Sequence, residues 1–357
     1  MRVLLAGGGS GGSATPILAI ASQLRARQPD VELLYVGTLG GPEADLAAEE
    51  GIPYVGVRTG KLRRYWDTQN VTDVARIVQG VGQSLMHVRR FKPDVACGAG
   101  GFASVPPLAA AGLLRVPVLI HQQDVVPGLA NRVLVPFARR ITVALPDTVR
   151  AFPPGRTALR GNPVRRRVLA GRPEEAYRSL NLSPDAPLLL VTGGGTGALG
   201  LNKIVAAAAT RLIERCQVLH LTGRGRGVDV PDLGPRYQQR EFLVEEMPHA
   251  LAAASVVVSR AGMGTLSELA ALAKPSIVVP MPGSHQEYNA RAFARAGGAM
   301  VFDQGDLTPE LLASTVRDLL DDPSRRTALG EALRGVMPLD ADARIAEDVL
   351  ALAEGRP

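Results

Sequence analysis

Val256 to Asn289, reading VVVSRAGMGTLSELAALAKPSIVVPMPGSHQEYN, decides the fold. The apolar run Val256-Val257-Val258 suits a strand buried on both faces. A turn broken by glycines follows, from Arg260 to Gly264. Thr265 to Ala273 reads as a helix and Ser276 to Val279 as a second strand. This is one βαβ unit, whose crossover makes the two strands parallel. Such a turn gathers free backbone N–H groups at a helix N-terminus, where a diphosphate can bind. Gly262 and Gly264 let the backbone approach a ligand. Glu268 has two readings. Its carboxylate can accept hydrogen bonds from both hydroxyls of a ribose, or Thr265-x-x-Glu268 is a capping box that ties the helix start.

Outward from this stretch the same grammar repeats. Val3 to Ala6 is strand-like and leads into a glycine-rich turn, Gly7 to Pro16, before a helix from Ile17 to about Arg27. Val31 to Val36 is a second strand, residues 43–50 are helical, and Tyr54 to Val57 is a short strand. Gly98 to Phe102 forms another glycine-rich loop before a helix. Val116 to Ile120 is a strand closing on His121-Gln122-Gln123-Asp124, and Gly161 to Arg165 reads as a hinge. The second half restarts with Leu188 to Val191, the turn Thr192 to Gly197, a helix from Ala198 to Arg215, and Val218 to Leu221. Each half begins strand, glycine turn, helix, strand, which predicts two Rossmann-like domains.

A chain of 357 residues suits two cores rather than one. With 46% apolar and 21% charged residues it is globular. Cys97 and Cys216 form no CxxC pair, which fits a reducing compartment. The first residues run straight into the opening strand and read as no signal peptide. No apolar stretch is long and uninterrupted enough to span a membrane. The formal charge of +6 favours anionic partners such as anionic lipid or phosphorylated substrates. Nucleic acid is not expected, because aromatics are only 4% and no nucleic-acid-binding motif appears.

Gly7, Gly9 and Gly12 satisfy GxGxxG, but the acidic residue that would hold a dinucleotide ribose is missing where the next strand ends, at Gly37-Thr38. The second half fails in the same way at Gly223. A nicotinamide cofactor is therefore not expected. No P-loop and no GxSxG elbow occur. His87, His121, His220, His249 and His285 form no ligand cluster, so no metal is expected. His220, in mid-strand, reads as a satisfied core histidine and His87 as surface. His121 and His285 lie at or beyond strand C-termini, where open α/β sheets bind ligands.

Several blocks in order now carry a resemblance: GGSGGSATP (8–16), GAGGFAS (98–104), HQQD (121–124), GNPVR (161–165), GGGTGALGLN (193–202), EFLVEEM (241–247), SRAGMGTLSE (259–268) and HQEYNA (285–290). Together, over nearly the whole chain, they resemble the MurG family of bacterial N-acetylglucosaminyltransferases, which convert lipid I to lipid II in peptidoglycan synthesis. The resemblance implies an α/β protein of GT-B architecture, two Rossmann-like domains with an interdomain cleft. Residues 1–160 would bind the acceptor and the membrane, with a helix at 340–357 packing back on them. Residues 165–339 would bind UDP-GlcNAc. Glu268 then looks like the ribose ligand, with Met263, Gly264, Thr265, Leu266 and Ser267 around ribose and diphosphate. Leu243 or Val244 would meet the uracil, Gln286 the sugar hydroxyls, and Arg165 the donor. Gly195 and Thr196 belong to the second-half phosphate turn, and Ser10, Gly11 and Gly12 would close over the phosphates. No cofactor is implied.

The chain also departs from the family pattern. Ser13 stands where the first loop, usually GGTGGH, carries a histidine. The family's HEQN is His121-Gln122-Gln123-Asp124 here, so the single carboxylate is displaced by two positions. Asp124, with His121 nearby, is the candidate base; its alternative is to cap a helix. Gly195 replaces a serine, and Ser284 a common aspartate. The basic segment 61–92, with Trp66, Ile77, Val78 and Val81, suits peripheral contact with the cytoplasmic face of the membrane, or else it is a solvated helix with an ordinary core face. The implied reaction is inverting transfer of GlcNAc to the muramoyl 4-hydroxyl of lipid I, a polyprenyl-diphosphate-linked acceptor. The alternatives are a related transferase with another lipid acceptor, or a non-catalytic UDP-sugar-binding protein.

Overall fold

The computed structural model describes residues 1–8, 11–60, 69–194 and 197–356. Ser10, Gly195, Thr196 and Trp66 lie outside them. The chain divides into two compact units. One comprises Met1–Arg165 with Met337–Pro357, the other Arg166–Val336.

Unit 1 contains β1 (Arg2–Ala6), α1 (Gly11–Arg27), β2 (Glu32–Thr38), α2 (Glu43–Glu49), β3 (Tyr54–Val57) and α3 (Gln69–Phe91), then β4 (Val95–Gly98), α4 (Val105–Leu113), β5 (Val118–Gln122), α5 (Leu129–Leu134), β6 (Ala138–Val143) and β7 (Thr157–Leu159). Its strands form one sheet in the order β3-β2-β1-β4-β5-β6-β7, every pair parallel. The strand order reverses between β1 and β4. The glycine loops after those two strands therefore flank the switch point, where open α/β sheets place their ligands.

Unit 2 contains α6 (Arg166–Leu169), α7 (Pro173–Ser179), β8 (Leu188–Thr192), α8 (Leu199–Leu212), β9 (Gln217–Leu221) and β10 (Tyr237–Arg240). There follow α9 (Met247–Ala253), β11 (Val256–Ser259), α10 (Met263–Ala271), β12 (Ser276–Val278), α11 (Gln286–Arg295), β13 (Met300–Val301), α12 (Pro309–Asp321) and α13 (Pro323–Arg334). The sheet runs β10-β9-β8-β11-β12-β13, again all parallel. Its switch point lies between β8 and β11, which end in the two glycine turns of the second half. β8 and β11 are buried along their whole length, as the apolar runs require of parallel strands covered on both faces.

The last helix, α14 (Ala341–Ala353), belongs to unit 1. Ala341, Ile345, Val349 and Leu352 recur at helical spacing and join the cluster of Leu5, Ile17, Ile20 and Leu24. Gln23 Nε2 donates to Asp342 Oδ2 at 2.5 Å. The guanidinium of Arg160 grips Asp348 with two bonds, of 2.8 and 3.0 Å. A bidentate pair of this kind fixes the helix in both rotation and position.

α1 starts at Gly11, six residues before the start expected at Ile17. Pro16 lies inside the helix, where it lacks the bond to the Gly12 carbonyl and its ring crowds that group. Buried Ala14 and Ile17 anchor the turns on either side.

Candidate active site

In unit 2 the site grows from the turn after β11. Gly262 is the N-cap of α10, with extended backbone (φ −73°, ψ 134°) and no side-chain cap. Thr265 is therefore the third residue of the helix and cannot cap it. This overturns the capping-box reading. Buried Met263 and Leu266 draw the first turn into the core two residues earlier than expected. The leading N–H groups of α10 point out of the helix end by geometry, and a Cβ on Gly262 or Gly264 would meet nothing within 4 Å. Backbone donors thus face open space at the switch point.

The side chains around that helix start divide clearly. Met263, Leu266 and Ser267 point inward, and Ser267 Oγ donates back to the Met263 carbonyl at 2.6 Å. What these three offer a ligand is backbone. Glu268, one turn further on, is half-buried. Burial pushes its carboxyl up to about 7, while Arg167 pulls it the other way. Gln286 Oε1 accepts from the Met281 N–H at 3.1 Å, which ties the loop before α11 to that helix. Leu243 is buried, whereas Val244 is 52% exposed, so only the latter presents its side chain to solvent. Arg165, the last residue of the first unit's main segment, is half-buried.

Two residues brace the turn that sequence reasoning had not singled out. Arg260 is buried, donating to the carbonyls of Val279 and Pro280 at 3.1 and 2.9 Å and to Gln304 Oε1 at 2.5 Å. Asn289 Nδ2 donates to the Ala261 carbonyl at 3.1 Å and sews α11 to the turn. A charged residue directly after an apolar strand was the visible signal for Arg260. Asn289 gave none, since its partner is distant in sequence.

In unit 1 the three candidate catalytic residues, Ser13, His121 and Asp124, fall into place differently. Ser13 sits inside α1, 6% exposed. Its Oγ accepts from the Gly8 N–H at 3.1 Å and donates to the Gly8 carbonyl at 3.2 Å. It locks Gly8, at the end of the opening strand, rather than handling a substrate proton. His121, at 0% exposure, spends both ring nitrogens, with Nδ1 to Thr142 Oγ1 and Nε2 to Asn162 Oδ1, each 3.0 Å. Burial lowers its pKa to about 4 against those hydrogen bonds, so the ring stays neutral. His121 is therefore a pillar at the end of β5, not a proton acceptor for substrate. His220 is likewise satisfied, by Tyr237 Oη and Asn202 Oδ1, as expected for a core histidine.

Asp124 remains partly exposed in the loop after β5. The helix that follows, α5, has Gly128 as its N-cap, so Asp124 does not cap it. The loop carrying Asp124 is held from below by a buried amide. Gln122 Nε2 donates to the carbonyls of Asp124 and Val126 at 2.8 and 3.3 Å, and Gln122 Oε1 accepts from Asn131 Nδ2 at 2.8 Å. Gln123 Nε2 donates to the Ala99 carbonyl at 3.0 Å, joining this loop to the glycine loop after β4. The donations by Gln122 need an N–H donor that a carboxylate lacks.

Two parallel-sheet units, each with glycine turns at its switch point and one with an acidic side chain a turn into the helix, are the layout of a GT-B glycosyltransferase, and the family models agree with that class. Residues 3–143 match the glycosyltransferase family 28 N-terminal domain and residues 188–338 the glycosyltransferase family 28 C-terminal domain. The chain belongs to glycosyltransferase family 28. It is 36% identical over 325 residues to the UDP-N-acetylglucosamine--N-acetylmuramyl-(pentapeptide) pyrophosphoryl-undecaprenol N-acetylglucosamine transferase of Lachnospira eligens, covering 90% of this chain and 91% of the relative. It is also 36% identical over 350 residues to the protein of the same name from Shouchella clausii, covering 97% and 98%. Among solved structures, MurG of Acinetobacter baumannii superposes with a TM-score of 0.74 at 24% identity, covering 98% of this chain and 99% of that one. The glycotransferase of kitacinnamycin gives 0.72 at 18%, covering 99% of each. The resemblance to the MurG family read from the sequence is borne out.

Proposed function

We propose that the chain transfers N-acetylglucosamine from UDP-GlcNAc to the muramoyl 4-hydroxyl of lipid I, with inversion, to form lipid II. Unit 2 takes the donor and unit 1 the acceptor. The observation that carries this reading is the open, glycine-flanked start of α10 with Glu268 one turn in. Its N–H groups would hold the diphosphate and stabilise UDP as it leaves. Glu268 would accept from the ribose hydroxyls, Val244 would lie along the uracil, and Gln286 would meet the sugar. Asp124 would take the proton of the attacking hydroxyl, since it is the partly exposed carboxylate of the HQQD block and the helix that follows it, α5, is capped by Gly128 instead. His121 and Gln122 serve it by fixing the strand end and loop on which it stands.

Peripheral attachment to the cytoplasmic membrane face is part of this proposal. α3 exposes Val78 and Met86, two helical turns apart on one face, with Arg89 and Arg90 also exposed. Leu113 and Arg115, at the end of the neighbouring α4, are exposed as well. Apolar side chains among cations suit an anionic leaflet. No helix among the described residues is long and apolar enough to cross a membrane.

The test is UDP release from UDP-GlcNAc with and without a lipid I analogue, for wild type and Asp124→Asn. Acceptor-dependent release that falls by roughly 10²–10⁴-fold in the variant, with donor affinity intact, is expected. Release that survives the substitution would remove Asp124 as the base. Donor binding without release under any acceptor would sink the transferase reading.

A further inference from the structure

Of the buried carboxylates among the described residues, Asp348 is spent on Arg160, and Glu43 has no part in the chemistry above. Glu43, at the start of α2, is 0% exposed. Burying a carboxylate is costly unless the fold gives it donors. Its Oε1 accepts from the Thr38 N–H at 2.7 Å, at the C-terminal end of β2. Tyr54, which donates to the Thr38 carbonyl at 2.5 Å, lies beside the Glu43 side chain. Burial and the charge of Glu43 both raise the phenol pKa of Tyr54 and of neighbouring Tyr35.

The carboxylate also packs against backbone from two loops. A Cβ on Gly8 would collide with Oε1, and one on Gly41 would lie 2.6 Å from Oε2. Gly8 has a φ of +135°, which a side chain rarely adopts. Ser13 Oγ holds the N–H and carbonyl of that same residue, and the glycine loop after β4 closes a third side, since a Cβ on Gly101 would strike the Gly8 carbonyl. Gly8 is thus wedged among Ser13, Gly101 and Glu43. The segment it launches ends in the N-terminus of α1 at the switch point of the first sheet.

We propose that Glu43 is a positioning residue for the first glycine loop, setting the backbone donors at the start of α1 for an anionic group of the acceptor, a diphosphate by its chemistry. This rests on the transferase reading. Glu43 touches no substrate. It acts by fixing Gly8 and the β2 terminus together, and Gly8 is in turn bonded to Ser13 in the first turn of α1.

The experiment compares wild type, Glu43→Gln, Glu43→Ala and Gly41→Ala, the last displacing the carboxylate while keeping its charge. Steady-state UDP release is measured against a lipid I analogue and against UDP-GlcNAc separately, with UDP-GlcNAc affinity and thermal melting in parallel. Wild type must first show acceptor-dependent release; if it does not, the transferase reading fails and not this inference. Expected for Glu43→Ala and Gly41→Ala is a fall of about tenfold or more in kcat/KM for the acceptor, consistent with the cost of small misplacements. Donor affinity should change by less than about twofold, and Glu43→Gln, which keeps an oxygen for the Thr38 N–H, should recover most of the loss. Wild-type acceptor kinetics in Glu43→Ala would overturn the proposal. So would equal losses for donor and acceptor that track a lowered Tm, or a Glu43→Gln protein that does not fold, since either makes the residue merely structural.

Discussion

Replacing Glu268 by glutamine tests the donor site through its protonation. Burial holds this carboxyl at about 7 against an ordinary value of 4.5. If only the ionised form accepts from both ribose hydroxyls, about nine-tenths of the protein is competent at pH 8 and about one-tenth at pH 6. Affinity for UDP-GlcNAc, a diphosphate diester with no group of its own titrating there, should therefore fall about tenfold between pH 8 and pH 6. At pH 7 binding should release roughly half a proton. Isothermal titration in two buffers of different ionisation enthalpy reads both quantities. Glu268→Gln should bind about 10–100-fold more weakly at pH 8, the cost of a hydrogen bond to a charged acceptor, and its affinity should be flat with pH. Arg167→Ala should move the wild-type midpoint upward, because Arg167 favours the ionised form. Folding follows the same linkage. The folded state binds the extra proton between about 4.5 and 7, so stability should fall as pH rises through that window, and Glu268→Gln should lose that slope. A wild-type affinity that does not change between pH 6 and 8, or a glutamine variant that binds like wild type, would refute the reasoning.

Other outcomes follow from the braces of unit 1 and its surface. Ser13→His should lower both Tm and acceptor-dependent UDP release, because the larger ring must displace the lock on Gly8; a gain in turnover would show that position 13 can reach the substrate after all. Asp348→Asn should cost about 1–3 kcal/mol of stability, since it leaves the Arg160 guanidinium against a neutral partner, and should leave UDP-GlcNAc affinity unchanged when melting and titration are compared. The double variant Val78→Asp/Met86→Asp should reduce cosedimentation with vesicles rich in anionic phospholipid while leaving turnover on a water-soluble acceptor analogue intact. Equal sedimentation of wild type and variant would detach α3 from the membrane.

The sequence by itself determined the local grammar. Apolar runs such as Val256-Val257-Val258 have no stable home except a strand covered on both faces, and glycines directly after them mark the only backbone that can turn tightly beside a ligand. That pattern, repeated in each half, specified two parallel-sheet units, and the ordered blocks from residue 8 to residue 290 pointed to the family. What an individual side chain does there was legible only where its partner is local. Thr265 and Glu268 satisfied the capping-box spacing, yet the core's hold on Met263 and Leu266 moved the helix start by two residues and removed the cap. His121 sat in a block that suggested chemistry, and tertiary contacts spent it on Thr142 and Asn162; Ser13 was spent locally, on Gly8 five residues before it. Glu43, Arg260 and Asn289 gave little or no sign in sequence, because the groups they hold are brought to them by the sheet. Periodicity and turn chemistry are written residue by residue, so they can be read from the chain alone. Hydrogen-bond saturation, burial and the pKa values that follow from them depend on neighbours far away in sequence, and only the tertiary structure decided those.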